Sequence, residues 1–230
     1  MTALVITGCE SSMFQTRNRH PMSILYRYGT KWYVNVTNKC PCRCEFCVRN
    51  QVSRLGDADS LWLSKDPTAD EIMSEIRARC PDAEEIVFCG YGEPTERLDV
   101  VLDVARRIRS ETGAHIRLDT NGLGSLINGR DIVPELAEVL DSISISLNAP
   151  DSDEYMRLCK PAFGESSYPA LLQFIDEARR AIPTTVSVVG GSISEESEER
   201  CRRMAEEWGV RFRVRRRCHA VSAGYRILYL

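Results

Sequence analysis

The chain has 230 residues, 43% of them hydrophobic, and a formal net charge of −3 at pH 7, which suits one large domain better than two small ones. A pI near 5.8 gives no global field to draw in nucleic acid or a membrane surface, so any anion binding must be local. No apolar stretch approaches the roughly 20 residues that cross a bilayer, and the N-terminus lacks the basic–apolar–small pattern of a signal peptide. Of the ten cysteines, four are clustered and the rest stand singly, unlike the spread pairs of a small secreted disulfide scaffold. A reducing cytoplasm is the expected compartment.

Residues 1–21 are mostly polar, without sustained periodicity, and read as a flexible tail before a domain spanning 22–230. Trp32–Thr37 alternates as a first strand. Directly after it, four cysteines crowd into the eight residues Cys40–Cys47, and Cys40, Cys44 and Cys47 stand in C-x3-C-x2-C spacing. Three thiolates so spaced can hold a cube of four irons and four sulfides with one iron left open, whereas cubes that only carry electrons are normally closed by four cysteines. An open position can bind a substrate, as in catalytic zinc sites. A zinc knot or free thiols are the alternatives, although structural zinc sites usually pair two separated arms. Cys42 reads as a bystander, and Cys9, Cys80, Cys89, Cys159, Cys201 and Cys218 as scattered small apolar thiols.

Further along, Thr68-x-x-Glu71 behind Pro67 forms a capping box that opens a helix to about Arg79. Glu85–Cys89 is a second strand, ending in Gly90-Tyr91-Gly92-Glu93-Pro94. Thr95 can cap a helix through Arg109 with Leu98, Val101, Leu102, Val104, Ala105 and Ile108 on its buried side. His115–Asp119 is a third strand, closed by the turn signal Thr120-Asn121-Gly122, and Ser142–Asn148 a fourth. Helical segments near 152–159 and 167–180 precede a fifth strand, Thr184–Val189. A charged helix over about 194–208 leads to a sixth, Arg211–Arg215.

Strands alternating with helices predict an α/β fold with a parallel sheet of right-handed βαβ units. Covered parallel strands usually read as continuous apolar runs, but these alternate. Val34 and Val36 oppose Asn35 and Thr37, Ile116 and Leu118 oppose Arg117 and Asp119, and Ile143, Ile145 and Leu147 oppose Ser144, Ser146 and Asn148. A partial (β/α)6 TIM-type barrel with a polar lumen accommodates both rows, and such a lumen must be wet or filled by a polar ligand. Chemistry in βα barrels sits at the C-terminal strand ends. The cysteine loop, Gly90–Thr95, Asp119–Gly122 and Asn148 all fall there.

With Cys-Pro-Cys-Arg-Cys-Glu-Phe-Cys, Tyr91-Gly92-Glu93-Pro94 in place of Gly-Gly-Glu-Pro, Thr120-Asn121-Gly122 and Ser144–Asn148, residues 23–217 resemble the radical S-adenosylmethionine superfamily. Val87–Asp99 and Asn121–Arg130 resemble its TatD-associated subfamily, which is named for an association with TatD-type hydrolases. The resemblance implies a single 4Fe–4S cluster on Cys40, Cys44 and Cys47, with S-adenosylmethionine on the open iron. It implies contacts from Phe46, Tyr91, Gly92, Glu93, Pro94, Asn121, Ser146 and Asn148 to that cofactor. It also implies reductive cleavage to a 5′-deoxyadenosyl radical, oxygen sensitivity, and an electron donor such as flavodoxin or ferredoxin. The substrate reading is a small or nucleotide-like molecule. A glycyl-radical activase acting on a partner protein and a non-catalytic metal or redox module are the alternatives. Tyr91 departs from the motif's first glycine and offers a phenol to shape the substrate pocket.

Glu93 alone would pass for a loop carboxylate or a helix-start charge; at a strand end after Gly-Tyr-Gly it reads as a cofactor contact. Arg211–Arg217 has two readings: an edge strand defended by charge, or a lumenal row in which Arg213 or Arg215 pairs bidentately with a substrate carboxylate or phosphate. Asp119 joins those two arginines as a candidate substrate contact. Tyr225–Leu230 is apolar enough to cover the open side of the barrel or dock a partner.

Overall fold

The computed structural model describes residues 22–52 and 55–216; the expected tail (1–21) and the apolar terminus (225–230) lie outside them. Seven strands form one sheet in sequential order. These are β1 (Leu25–Tyr28), β2 (Lys31–Val34), β3 (Glu85–Phe88), β4 (His115–Thr120), β5 (Ser142–Ser146), β6 (Thr184–Val189) and β7 (Arg211–Arg215). From β2 to β7 every pairing is parallel. The six expected strands therefore appear in the expected order, as a partial βα barrel.

The difference lies at the leading edge. β1 pairs antiparallel with β2 through a hairpin turned at Gly29, whose φ is +64°. Its Tyr-Arg-Tyr core hides a strand signal, because stacking rather than aliphatic burial holds it: Tyr26 and Tyr33 rings lie 5.3 Å apart. The first parallel strand is also shorter than expected, ending at Val34. Asn35–Thr37 leave the ladder yet stay buried, with the Asn35 amide donating to the Leu61 carbonyl at 2.7 Å.

Among the described residues seven helices cover one face: α1 (Ala69–Arg79), α2 (Leu98–Glu111), α3 (Gly124–Asn128), α4 (Val133–Val139), α5 (Ser152–Cys159), α6 (Ser167–Ala181) and α7 (Glu195–Glu207). The capping box forms as expected, Thr68 Oγ1 accepting from Glu71 N and Glu71 Oε2 from Thr68 N. At α2 the cap moves upstream. Glu93, not Thr95, opens a short 3-10 turn over Pro94–Arg97 that runs into the helix. α3 and α4 are absent from the sequence reading because they are short and are split by Gly129, at φ +64°.

Period-2 alternation decides which side of the sheet is core. Ile86, Phe88, Ile116, Leu118, Ile143, Ile145, Val186 and Val188 are sealed against α2, α4 and α6. Their neighbours face the lumen. Register aligns Asp119, Ser144, Thr185 and Arg211 across four adjacent strands, and Ser146, Ser187 and Arg213 one layer nearer the rim. The polar inner row is thus real.

Phe174 on α6 is 1% exposed and Phe163, just before it, is 37% exposed. Phe174→Ala should cost about 3–5 kcal/mol and Phe163→Ala less than about 0.5 kcal/mol in urea unfolding. Equal losses would overturn this assignment of the buried helix face.

Candidate functional site

The cysteine loop is held from two sides by backbone. On one, Glu93 N donates to the Lys39 carbonyl at 2.7 Å; on the other, Arg43 N and Glu45 N donate to the carbonyls of Cys159 and Leu158 at 2.9 and 3.0 Å. Ala162 N adds a bond to Pro41 O at 2.8 Å. The end of β3 and the C-terminus of α5 therefore clamp a segment with no regular structure of its own. Lys160, at φ +45°, turns the chain out of α5 to allow this. Cys40, Cys44 and Cys47 remain partly exposed, while Cys42 is buried in the main core. Phe46 packs against that core beside them.

Hydrogen bonding sorts the thiols. The Cys44 thiol is held down to about 4 by donation from Cys159 and then Cys42, against the opposing effect of burial. Cys40 is also lowered, chiefly by Cys42. Cys42 and Cys159 are pushed up as the donors of those bonds, and burial raises Cys47. Two thiols thus donate to two others and lower them. In sequence Cys159 is a scattered thiol; only its place at the end of the helix after β5 returns it to the loop. Among the described residues no three His, Cys, Asp or Glu side chains converge as ligands of a single metal ion. A four-iron cube takes its cysteines on separate irons.

Glu93 is 3% exposed. Its Oε1 accepts from Thr95 N (3.2 Å), Thr95 Oγ1 (2.8 Å) and Thr120 Oγ1 (2.7 Å), and its Oε2 from Asn121 N (2.8 Å). Burial raises its pKa above the usual carboxylate value, with these four bonds opposing. The side chain therefore ties β3's end to β4's end, a role that Thr95 and Thr120 share and that their spacing does not announce. Gly92 makes the approach possible. A Cβ there would lie 2.3 Å from Thr37 O and 2.6 Å from Lys39 O, both backbone atoms. Pro94 is buried as the first residue of the 3-10 turn.

Tyr91 does not open onto a pocket, which corrects the expectation for its phenol. It is 3% exposed, donates to the Val52 carbonyl at 2.5 Å, and meets Trp62 edge-on at 5.2 Å. It anchors the segment that follows Cys47.

The other strand ends converge as expected. Asn121 points its amide at Cys40 and Cys42 Sγ, 3.9 Å from each. Asn148, at φ +63°, reaches Cys159 Sγ at 3.5 Å. Arg215 Nη2 donates to Ser146 Oγ (3.1 Å) and Asn148 Oδ1 (3.2 Å), while Arg213 is exposed. Deeper in the lumen, Arg117 Nε lies 3.2 Å from Glu85 Oε1 and 3.3 Å from Asp119 Oδ1. Burial raises Asp119 against the pull of Arg117, Arg215 and Arg213, and it lowers Arg215. Two surface hollows, of about 380 and 300 Å³, lie instead at the N-terminal strand ends, around Ile182–Thr184 and Gly113–His115. They contain none of the strand-end groups above. His115 sits there, its Nε2 2.8 Å from Ser142 Oγ.

The family model for the radical SAM superfamily matches residues 34–205. A GTP 3′,8-cyclase of Streptomyces coelicolor is 29% identical over 166 residues, covering 70% of this chain and 44% of that protein. A probable dual-specificity RNA methyltransferase, RlmN 1 of Opitutus terrae, is 28% identical over 158 residues, covering 64% and 41%. The chain thus spans less than half the length of these curated relatives. Streptococcus suis SuiB, solved with S-adenosylmethionine bound, superposes with a TM-score of 0.61 at 16% identity over 86% of this chain and 42% of that one.

Gly92→Ala should displace the cysteine loop, since neither facing carbonyl can rotate away, and should cost about 1–3 kcal/mol. Gly113, whose Cβ would meet nothing within 4 Å, serves as the control. Thermal melts and iron content after anaerobic reconstitution should fall together in Gly92→Ala and stay unchanged in Gly113→Ala. Full iron loading in Gly92→Ala would show that the close approach is dispensable.

Proposed function

The chain belongs to the radical SAM superfamily, and from that premise we propose that it is a radical enzyme whose Cys40, Cys44 and Cys47 hold the cluster and whose lumen takes a small-molecule or nucleotide-like substrate. Members of this superfamily are enzymes that use a 4Fe–4S cluster and S-adenosylmethionine, and they generally need a reductant such as flavodoxin or ferredoxin. When bound, that pair supplies one-electron bond cleavage and hydrogen abstraction.

The observation that carries the reading is the clamped loop itself. Three partly exposed thiols face the C-terminal strand ends, and the fourth, Cys42, is turned into the core. The residues present suit the cofactors. Two of the three thiols are lowered by hydrogen bonds from neighbouring thiols, and the amides of Asn121 and Asn148 line the space beside them. Gly92 and Glu93 set the backbone of the amine-facing edge, although the Glu93 carboxylate is already committed to β4. Ser146 and Asn148 offer polar contacts for the cofactor's polar end, and Phe46 a face for adenine. Residues 22–230 are proposed to act as one catalytic domain. A nucleotide-like substrate draws support from relatives named for action on GTP and on RNA. The segments Val87–Asp99 and Asn121–Arg130 favour the TatD-associated subfamily, with a TatD-type hydrolase as a partner.

Anaerobic reconstitution with iron and sulfide, followed by a reductant and S-adenosylmethionine, should yield 5′-deoxyadenosine. Cys40→Ala, Cys44→Ala and Cys47→Ala should each abolish it, while Cys42→Ala should retain both cluster absorbance and product. A well-loaded cluster that forms no 5′-deoxyadenosine would sink the proposal.

A further inference from the structure

The lumen holds positive charge that the described residues do not neutralise. Strand alternation puts Arg211, Arg213 and Arg215 on one side of β7. Among the described residues none of the three forms an ion pair, whereas Glu85 is matched by Lys31 and Arg117, and Asp119 by Arg117. Charge on an edge strand is a common defence against aggregation, and the two exposed arginines suit that role. Arg215 does not. It is partly buried, its Nη2 is fixed by two neutral groups, Ser146 Oγ and Asn148 Oδ1, and its Nε is buried without any hydrogen-bond partner. A guanidinium so placed is desolvated with no ion pair in contact, Asp119 acting on it only across the lumen, so a bound anion would relieve it. On the facing side of the lumen Asp119 Oδ1 is likewise buried without a hydrogen bond. Between them Ser144, Thr185 and Ser187 form a neutral hydroxyl floor.

We propose that the lumen recognises its substrate through an oxyanion group of at least two negative charges, phosphate or polycarboxylate, held by Arg215 and steered by Arg213. Two cations without an ion pair on one strand face set the charge, and with Nη2 fixed on Ser146 and Asn148 the Nη1 of Arg215 is left for a charge-assisted contact. The proposal rests on the radical-enzyme reading only in naming that enzyme's substrate class.

The test is calorimetric titration of the full-length, cluster-reconstituted protein under anaerobic conditions, with inorganic triphosphate and with citrate. Saturable binding of one of them is expected, and which one binds distinguishes phosphate from carboxylate. Arg215→Gln should weaken it about ten- to hundredfold, Arg213→Gln about threefold, and Arg215→Lys should fall between wild type and Arg215→Gln. Arg130→Gln, on an exposed pair with Glu135, is the control and should bind as wild type. Titration of S-adenosylmethionine runs alongside on each folded variant. If Arg215→Gln loses affinity for S-adenosylmethionine but not for the anion, the guanidinium belongs to the cofactor and the proposal is overturned; absence of saturable binding of both anions to wild type overturns it too. Anion binding by a protein that forms no 5′-deoxyadenosine would leave this proposal standing and defeat the proposed radical function instead.

Discussion

The approach of Gly92 to the carbonyls of Thr37 and Lys39 is the contact on which the site depends. A cysteine loop without helix or strand has no internal ladder to fix it, so its shape must be imposed from outside. The end of β3 imposes it through backbone atoms: the missing Cβ at Gly92 admits the close approach, and Glu93 N meets Lys39 O. The Glu93 carboxylate then passes the constraint on to β4 by bonding Thr120 Oγ1 and Asn121 N. Asn121, so placed, directs its amide back to Cys40 and Cys42. Two strand ends and the cysteine loop become one rigid unit through a buried acid with four donors.

The other side of the loop shows a different solution. α5 presents its C-terminal carbonyls, which lack intrahelical donors, and the loop's Arg43 and Glu45 amides fill that need. Helix termination and loop positioning are thus one set of bonds. Cys159, the last residue of α5, adds its thiol to Cys44. The lumen is less settled than either clamp. Arg117 meets Glu85 and Asp119 by charge but without hydrogen-bond geometry, and Asp119 Oδ1 and Arg215 Nε stay without a hydrogen bond. A core arranged for stability alone would not keep these atoms buried without hydrogen bonds.

Much of this was legible in the chain, and the limits have physical causes. The six parallel strands, the polar inner row and the capping box at Thr68 follow from local periodicity and spacing, which register directly in sequence. The hairpin strand Leu25–Tyr28 was missed because aromatic stacking across strands is a non-local signal. α3 and α4 were missed because each is too short to complete an amphipathic pattern. In the site, the triad and the strand-end motif were visible as neighbours in sequence. Cys159 was not, because it stands far from the loop in sequence and only the βα connection brings it back. The choice between the two readings of the β7 arginines could not be made from alternation, which treats Arg211, Arg213 and Arg215 alike. Burial separates them.

The same geometry explains why Tyr91 is admissible where the family's motif has glycine. Past the end of β3 the chain bends through Gly90–Gly92, and the two glycines and residue 91 meet different neighbours. A Cβ at Gly90 would meet the Asn35 side chain at 2.0 Å, and one at Gly92 would meet backbone carbonyls. Neither neighbour can move without loss, since Asn35 is itself fixed to Leu61 O. Residue 91 faces Trp62 and the carbonyl of Val52 instead. There a side chain has room, and a phenol gains a hydrogen bond to the segment just beyond Cys47. The tyrosine therefore leaves both required glycines in place and tethers the segment that follows the cysteine loop, which the bonds from β3's backbone and from α5 do not hold.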